Sequence, residues 1–157
     1  MHFSATDSQR FSIKAIPIAA DVRRQLADAY DRAYPVESCG FLLGWPRKIT
    51  LLVESLNAVS LPGGFDIPDR EIIRVRLIAS NSGVQIKALF HSHPEGSTEL
   101  SQNDCDALRH SQWPWVVITR TACGKLRLTW YAHFREPANV SCLRTVLAVA
   151  DAKIRRR

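Results

Sequence analysis

Residues 84–104 read VQIKALFHSHPEGSTELSQND, and this stretch decides how the rest of the sequence is interpreted. Its first part, residues 84–93, predicts a β-strand, and Pro94 ends this strand at once. Side chains two residues apart on a strand leave the same face, so His91 and His93 can converge on one point. A short helix is expected from about 102 to 111, and it places Asp104 in its first turn.

Two imidazoles and a carboxylate in this arrangement predict a metal site. His91, His93 and Asp104 would supply three ligands and leave a fourth position open, which is typical of catalytic zinc sites, whereas structural sites are closed by four protein ligands. A second interpretation makes Ser101-Gln-Asn-Asp104 a capping box at the start of the helix. Ser101 fits both interpretations, but a carboxylate committed to a metal is less free to cap. The joint occurrence of all four residues at this spacing favours the metal site.

Strand and helix patterns interleave along the chain and predict one α/β domain over residues 1–157, with a central mixed β-sheet flanked by helices. Gly, Pro, Asn and Asp are frequent in residues 57–68, which predicts a loop there. The expected strands cover residues 10–16, 39–44, 49–56, 84–93, 115–120 and 126–133. The expected helices cover about 19–33, 68–83 and 102–111, and a C-terminal segment from about 139.

Composition and charge limit the classes of function. The 157 residues carry 21 Lys or Arg against 15 Asp or Glu, and a net charge of +6 fits an acidic protein partner, a nucleic acid or no partner in particular. The basic residues are scattered, so nucleic-acid binding is not favoured. No apolar run approaches the roughly 20 residues that cross a membrane. A further metal site is not favoured, because the other candidate ligands are irregularly spaced: His110, Cys123, His133 and Cys142.

The four cysteines and the first twenty residues indicate a cellular compartment. No pair of cysteines has the C-x-x-C spacing of a zinc ribbon or a redox dithiol. The start of the chain is polar and charged and has no apolar signal region. We therefore expect a cytoplasmic protein with free thiols.

The spacing His91-x-His93-x7-Ser101-x2-Asp104 is similar to the signature of the JAMM (MPN-plus, or JAB-domain) zinc metalloproteases. The chain resembles the bacterial single-domain, deubiquitinase-like members of that family. The resemblance implies a JAB/MPN fold of cytidine-deaminase-like architecture. Leu100 stands where many members have Pro, a difference that removes no ligand.

Two upstream segments extend the resemblance. Residues 35–44, PVESCGFLLG, resemble the family's acidic residue, here Glu37, followed by its Gly-rich apolar strand. Residues 57–68 resemble the loop that precedes the family's second helix. Taken alone, Glu37 would be interpreted as a solvated surface group.

The resemblance implies a mechanism. One Zn²⁺ per chain would be held by His91, His93 and Asp104 and would generate a nucleophile from water at neutral pH. Glu37 would accept the proton of that water and later donate it to the leaving amine. Ser101 would donate a hydrogen bond to the developing oxyanion.

The resemblance also implies a partner, a ubiquitin-like protein with a Gly-terminated tail that is cleaved after this tail. Strand addition at a sheet edge is the simplest way to guide an extended tail past the metal. In this family the segment between the second strand and the second helix borders the groove that holds the tail, so the resemblance implies that residues near 58–67, with Gly63, Gly64 and Phe65, contact the tail. Small residues there would let another backbone approach closely. The alternative for these residues is an ordinary surface loop.

Three functions stay open at this point. The favoured one is an isopeptidase or peptidase that acts in a bacterial ubiquitin-like conjugation or phage-defence system. The second is a JAB peptidase that processes a sulfur-carrier protein for cysteine or cofactor biosynthesis. The third is a non-catalytic module that holds a ubiquitin-like partner without cutting it, and the intact set of polar residues argues against it.

Overall fold

The computed structural model describes residues 15–132 and, farther along the chain, the two strand residues Leu147–Ala148. The strands are β1 (Cys39–Trp45), β2 (Lys48–Ser55), β3 (Gln85–Ser92), β4 (Trp115–Arg120), β5 (Leu126–Tyr131) and β6 (Leu147–Ala148). They form one sheet in the order β2-β1-β3-β4-β5-β6. Strands β3 and β4 are parallel, and the other neighbouring pairs are antiparallel, so the sheet is mixed.

Three helices flank the sheet: α1 (Ala20–Ala33), α2 (Asp69–Ser82) and α3 (Gln102–Leu108). Helix α1 has an acidic residue in its first turn and a basic residue in its last, as the helix dipole favours. Helix α2 ends at Gly83, whose φ of 65° is a left-handed conformation that glycine adopts without strain. The predicted boundaries of these two helices agree closely with the structure.

Alternation along the strands sends side chains to two separate cores. Leu42 and Phe90 pack with Leu26 of α1 on one face of the sheet. Phe41 packs with Val75 of α2 on the other face. The architecture therefore has three layers, with α1 on one side of the sheet and α2 and α3 on the other.

The predicted α/β class and mixed central sheet are confirmed. The strand predicted over residues 10–16 falls mostly outside the described residues, and its described end is not in a strand. Instead, residues 17–19 bond to the backbone of Ile49, in an isolated parallel bridge at Ile18. No helix of the described part is long and apolar enough to cross a membrane.

The helix predicted from about residue 139 was wrong at Leu147–Ala148, which pair with Thr129 and Trp130 as strand β6. The rest of that prediction lies outside the described residues. Helix α3 ends at Leu108, short of the predicted 111, because the chain turns through residues 109–113 before β4. Strand β5 ends at Tyr131, and His133 lies outside the described residues.

Candidate active site

The two histidines lie at the carboxyl end of β3. His91 is in the strand, and His93 follows its last residue. Both are buried, and their Nε2 atoms are 2.9 Å apart, as the i, i+2 spacing predicts. The N–H of His93 donates to the carbonyl oxygen of Ile118 in β4 at 2.9 Å, so the parallel neighbour strand fixes the backbone just past the end of β3.

Each imidazole is oriented by its surroundings. Nδ1 of His93 is 2.9 Å from the carbonyl oxygen of Ser97, and a neutral ring that donates there presents a lone pair at Nε2. The ring of His91 stacks on Phe65 with centroids 4.4 Å apart, and Trp115 meets it edge-on at 5.3 Å. Such outer contacts hold ligand rings in place at metal sites.

Asp104 lies in the first turn of α3, and its carboxylate faces the two histidines. Its Oδ2 accepts a hydrogen bond from the N–H of Ser101 at 2.9 Å, and its own N–H donates to Ser101 Oγ at 3.0 Å. The capping box is therefore present. Yet Oδ1 lies 3.8 Å from His91 Nε2, and Oδ2 lies 3.5 Å from His93 Nε2. The expectation that a carboxylate facing a metal site is less free to cap the helix was wrong. A carboxylate has two oxygens and several lone pairs, so it can do both.

The donor atoms of this cluster can be compared with the spacing that zinc requires. Donor atoms at about 2.0–2.2 Å from a tetrahedral zinc ion lie about 3.3–3.6 Å from one another. The Nε2 atoms of His91 and His93 are 2.9 Å apart, and Asp104 approaches them through different oxygens, Oδ1 at 3.8 Å from His91 Nε2 and Oδ2 at 3.5 Å from His93 Nε2. Among the described residues, the set whose single donor atoms all lie within 4.8 Å of one another is Glu37, His91 and His93. Two imidazole nitrogens and one carboxylate are also the ligand chemistry that zinc accepts.

The sheet register brings Glu37 to the same place. Cys39 lies opposite His91 in the antiparallel pair of β1 and β3, so two residues earlier Glu37 lies beside His93. The backbone between them is held by Ser92, whose N–H donates to the Ser38 carbonyl oxygen at 2.8 Å and whose hydroxyl accepts from the Ser38 N–H at 2.7 Å. Glu37 is buried rather than solvated.

The carboxyl group of Glu37 faces the histidine pair. One of its oxygens lies within 4.8 Å of a ring nitrogen of both His91 and His93. Its Oε2 is buried and has no hydrogen-bond partner in the structure. Two acidic groups, Glu37 and Asp104, thus flank the imidazoles, and Asp104 is bonded into the helix start while Glu37 retains an uncommitted oxygen.

Burial and the neighbouring charges set the protonation states. Burial lowers the pKa of His91 to about 3, so this ring is neutral. Burial works to raise the pKa of Asp104, but hydrogen bonding to His93 and Ser101 outweighs it and lowers that pKa to about 2. A neutral imidazole and an ionised carboxylate are the forms that bind a metal ion. Burial, with a smaller contribution from the charge of Asp104, raises the pKa of Glu37 to about 7.

A groove of about 550 Å³ opens beside this cluster, between α2, α3 and the 57–68 loop. Gly63, Gly64 and Phe65 line it together with Ser101 and Asp104. The predicted tail-binding residues therefore share a groove with one end of the cluster. The lining does not include the other three residues of the cluster, Glu37, His91 and His93, so the groove meets the site at α3.

Some contributors were missed from the sequence. Asn57 was recognised only as a turn former, although its side chain bonds to Glu37 and to the loop. Nothing in the local sequence marks Trp115 as part of the site, although its ring lies against His91. The i+4 position of Ser97 relative to His93, across a Pro and a Gly, could have indicated its carbonyl as a ring partner. No disulfide joins the three cysteines that the structure describes, of which Cys39 is buried, Cys105 half-buried and Cys123 exposed.

Comparison with known proteins identifies relatives of this chain. A family model described as prokaryotic homologues of the JAB domain matches residues 19–132. A protein named Desampylase, from Pyrococcus furiosus, is 25% identical over 85 residues, which are 53% of this chain and 59% of that protein. The chain therefore spans less than two thirds of the length of this relative.

Solved structures share the fold. A protein from Desulfitobacterium hafniense superposes with a TM-score of 0.68 and 20% identity, over 74% of this chain and 83% of that one. A protein from Salinibacter ruber superposes with a TM-score of 0.56 and 21% identity, over 83% of this chain and 90% of that one. At these identities the likeness is one of architecture.

Proposed function

The chain belongs to the family of prokaryotic homologues of the JAB domain, and we propose that it is a cytoplasmic, zinc-dependent peptidase that cleaves after the C-terminal tail of a ubiquitin-like protein. The similarity to Desampylase supports a ubiquitin-like protein as the class of substrate. A tail that ends in Gly, and a bond to lysine or to a main-chain amine, are parts of the same proposal.

One observation carries this proposal: the imidazoles of His91 and His93 lie together with the carboxylate of Asp104. The carboxyl group of Glu37, which has an oxygen without a hydrogen bond, lies beside them. His91, His93 and Asp104 would hold the ion, and their separations of 2.9–3.8 Å support this assignment. Three protein ligands leave a position for water or substrate. When bound, a zinc ion polarises a carbonyl group and lowers the pKa of water from about 15.7 towards about 7.

The remaining steps belong to side chains of this protein. Glu37 takes a proton from the attacking water while the oxygen atom of that water forms a bond to the scissile carbonyl carbon. Glu37 then delivers the proton to the amine as the carbon–nitrogen bond breaks. Burial raises the pKa of Glu37 to about 7 before the charge of a metal ion is counted. The positive charge of a bound zinc ion would lower this pKa and so favour the ionised form that accepts the proton.

Ser101 is placed to stabilise the developing negative charge. Its hydroxyl oxygen accepts the N–H of Asp104 at 3.0 Å, which fixes the oxygen and leaves the hydroxyl proton available to donate. Ser101 also lines the groove in which the tail would lie. A donor aimed at an oxyanion contributes on the order of 3 kcal/mol in enzymes where it has been removed.

The substitution Glu37→Gln tests the proposal. It keeps the shape of the side chain but removes its ability to accept a proton, so cleavage of a ubiquitin-like fusion should fall by about 100-fold or more while zinc content stays at one per chain. Glu95→Gln is the matched control. This substitution makes the same chemical change at Glu95, an exposed acid whose Oε1 lies 3.6 Å from His93 Nδ1. Unchanged cleavage by Glu37→Gln would remove Glu37 from the mechanism.

The zinc measurement on the same variant separates two roles of Glu37. If Glu37 were a fourth ligand that closes the site, Glu37→Gln would lose zinc together with activity, and the site would be structural. A wild-type protein that binds a ubiquitin-like partner without zinc and without cleavage would support the non-catalytic module instead. Deconjugation and the processing of a sulfur-carrier precursor differ in the leaving group, so paired isopeptide and linear fusion substrates distinguish them.

A further inference from the structure

The carboxamide of Asn57 joins two parts of the candidate site. Asn57 follows β2, and its Nδ2 donates to the carbonyl oxygens of Glu37 at 3.0 Å and Gly64 at 3.2 Å. Its Oδ1 accepts from the N–H groups of Val59 at 2.9 Å and Asp66 at 3.0 Å. An amide has two donors and two acceptor lone pairs, so all four are used.

These four bonds reach two different segments. Three of them go to the tail-binding rim, defined here as residues 58–66, and one goes to the segment between α1 and β1 that carries Glu37. The neck of the rim is closed by a backbone bond from the N–H of Ala58 to the carbonyl oxygen of Asp66 at 2.8 Å. Asn57 is therefore the side chain that ties the rim to the residue proposed to move the proton.

The rim is anchored at two consecutive residues. The carbonyl of Gly64 is held by Asn57, and the ring of Phe65 stacks on His91. A Cβ atom at Gly63 or Gly64 would meet nothing within 4 Å, so the tip of the rim has little packing of its own to hold it. The rim is held by the hydrogen bonds of Asn57, by the backbone bond between Ala58 and Asp66, and by the contacts of the Phe65 ring with His91 and Trp115.

We propose that Asn57 is a positioning residue, which holds the tail-binding rim and Glu37 at a fixed separation before any substrate binds. This inference rests on the proposed peptidase function. Asn57 itself touches no reacting atom and acts through the backbone carbonyls of Glu37 and Gly64. A substrate tail bound along the rim would then already be registered against the carboxyl group that accepts the proton.

The substitution Asn57→Asp isolates the two donors. It is isosteric and keeps an acceptor for Val59 and Asp66, but it turns a carboxylate oxygen towards the two carbonyl oxygens. Asn57→Ala removes all four bonds without adding charge, and it is the second variant. Asn81→Asp, an exposed site near the end of α2, controls for the amide-to-carboxylate change.

Hydrogen exchange is the first readout and needs no catalytic activity. Exchange of the Val59 and Asp66 amide hydrogens should become at least tenfold faster in Asn57→Asp. Both amides keep an acceptor in this variant, but the side chain at position 57 no longer donates to the carbonyl oxygens of Glu37 and Gly64, so the rim opens. Asn57→Ala should show a similar or larger effect, and Asn81→Asp none. Exchange in Asn57→Asp at the wild-type rate would overturn the proposal.

Kinetics are the second readout. With zinc content unchanged, Asn57→Asp should lower kcat and raise KM for a ubiquitin-like fusion, each by about tenfold, because both Glu37 and the rim are displaced. A rise in KM with unchanged kcat would mean that Asn57 only braces a loop, which contradicts the proposal. If the wild-type protein cleaves nothing, the peptidase proposal fails, while the exchange experiment still decides whether Asn57 holds the rim.

Discussion

The substitution Asp104→Asn separates the two tasks that Asp104 combines in the structure. The amide oxygen can still accept the Ser101 N–H, as Oδ2 does now at 2.9 Å. The other position becomes an NH₂ group, which cannot ligate zinc and turns donors towards His91 Nε2, the atom that now lies 3.8 Å from Oδ1. We therefore expect the helix start to survive and zinc binding to fail.

The size of the effect follows from these contacts. Mutation of a residue that hydrogen-bonds to a zinc ligand typically lowers metal affinity by about 10- to 100-fold. Loss of a direct ligand should therefore lower it by at least about 100-fold. A 100-fold loss of affinity removes about 2.7 kcal/mol of the stabilisation that saturating zinc provides. For a domain of this size that corresponds to a fall in Tm of about 5–11 °C in the presence of zinc.

The assay is competition with a chromophoric chelator, together with thermal unfolding with and without zinc. Without zinc, Asp104→Asn and wild type should differ by no more than about 1 kcal/mol, because the capping bond is retained. Asp106→Asn is the matched control, since Asp106 lies two residues along the same helix, is exposed and pairs with Arg109. Zinc affinity in Asp104→Asn equal to wild type would refute the ligand assignment and leave Asp104 as a helix cap.

Three further predictions concern Ser101, Gly64 and Gly40. Ser101→Ala should lower kcat by about 100- to 1,000-fold and destabilise the fold by about 1 kcal/mol. Ser101→Thr should restore the stability and part of the rate. A Thr variant as slow as the Ala variant would argue against a hydroxyl donor. Gly64→Ala should leave the Tm unchanged, because its Cβ meets nothing within 4 Å, yet raise KM by crowding the tail. Gly40→Ala, whose Cβ would lie 2.4 Å from the Val53 carbonyl oxygen, should lower stability by about 1–3 kcal/mol in chemical denaturation, and an unchanged midpoint would contradict the packing described.

Much of the fold could be predicted because its elements are locally encoded. The continuous apolar run that contains Phe41 and Leu42, which pack in opposite cores, is visible in the sequence, and so are the Pro and Gly residues that bound α2. The short segment Leu147–Ala148 could not be predicted, because its helical spacing of apolar residues is a local pattern whereas its pairing with β5 is a long-range contact.

The candidate site was predictable to a different depth. His91, His93 and Asp104 lie at a strand end and a helix start, which are local features, and the structure brings their side chains together with separations of 2.9–3.8 Å. Their role as metal ligands stays a prediction. The place of Glu37 depends on the register of β1 against β3, which no spacing within residues 35–44 reveals. The role of Asn57 was not predictable, because its four partners lie at separations from two to twenty residues along the chain.

The segment from the end of β3 to the first turn of α3 carries His91, His93 and Asp104, whereas Glu37 comes from the segment that precedes β1. In the proposed mechanism, holding the ion and moving the proton are therefore encoded by separate stretches of the gene and can be inherited or lost one at a time. Under that proposal, a descendant with a replacement at position 37 would keep the three metal ligands and the surface that holds a protein tail. The proposal thus implies that a cutting enzyme and a passive receptor differ by one codon in this architecture.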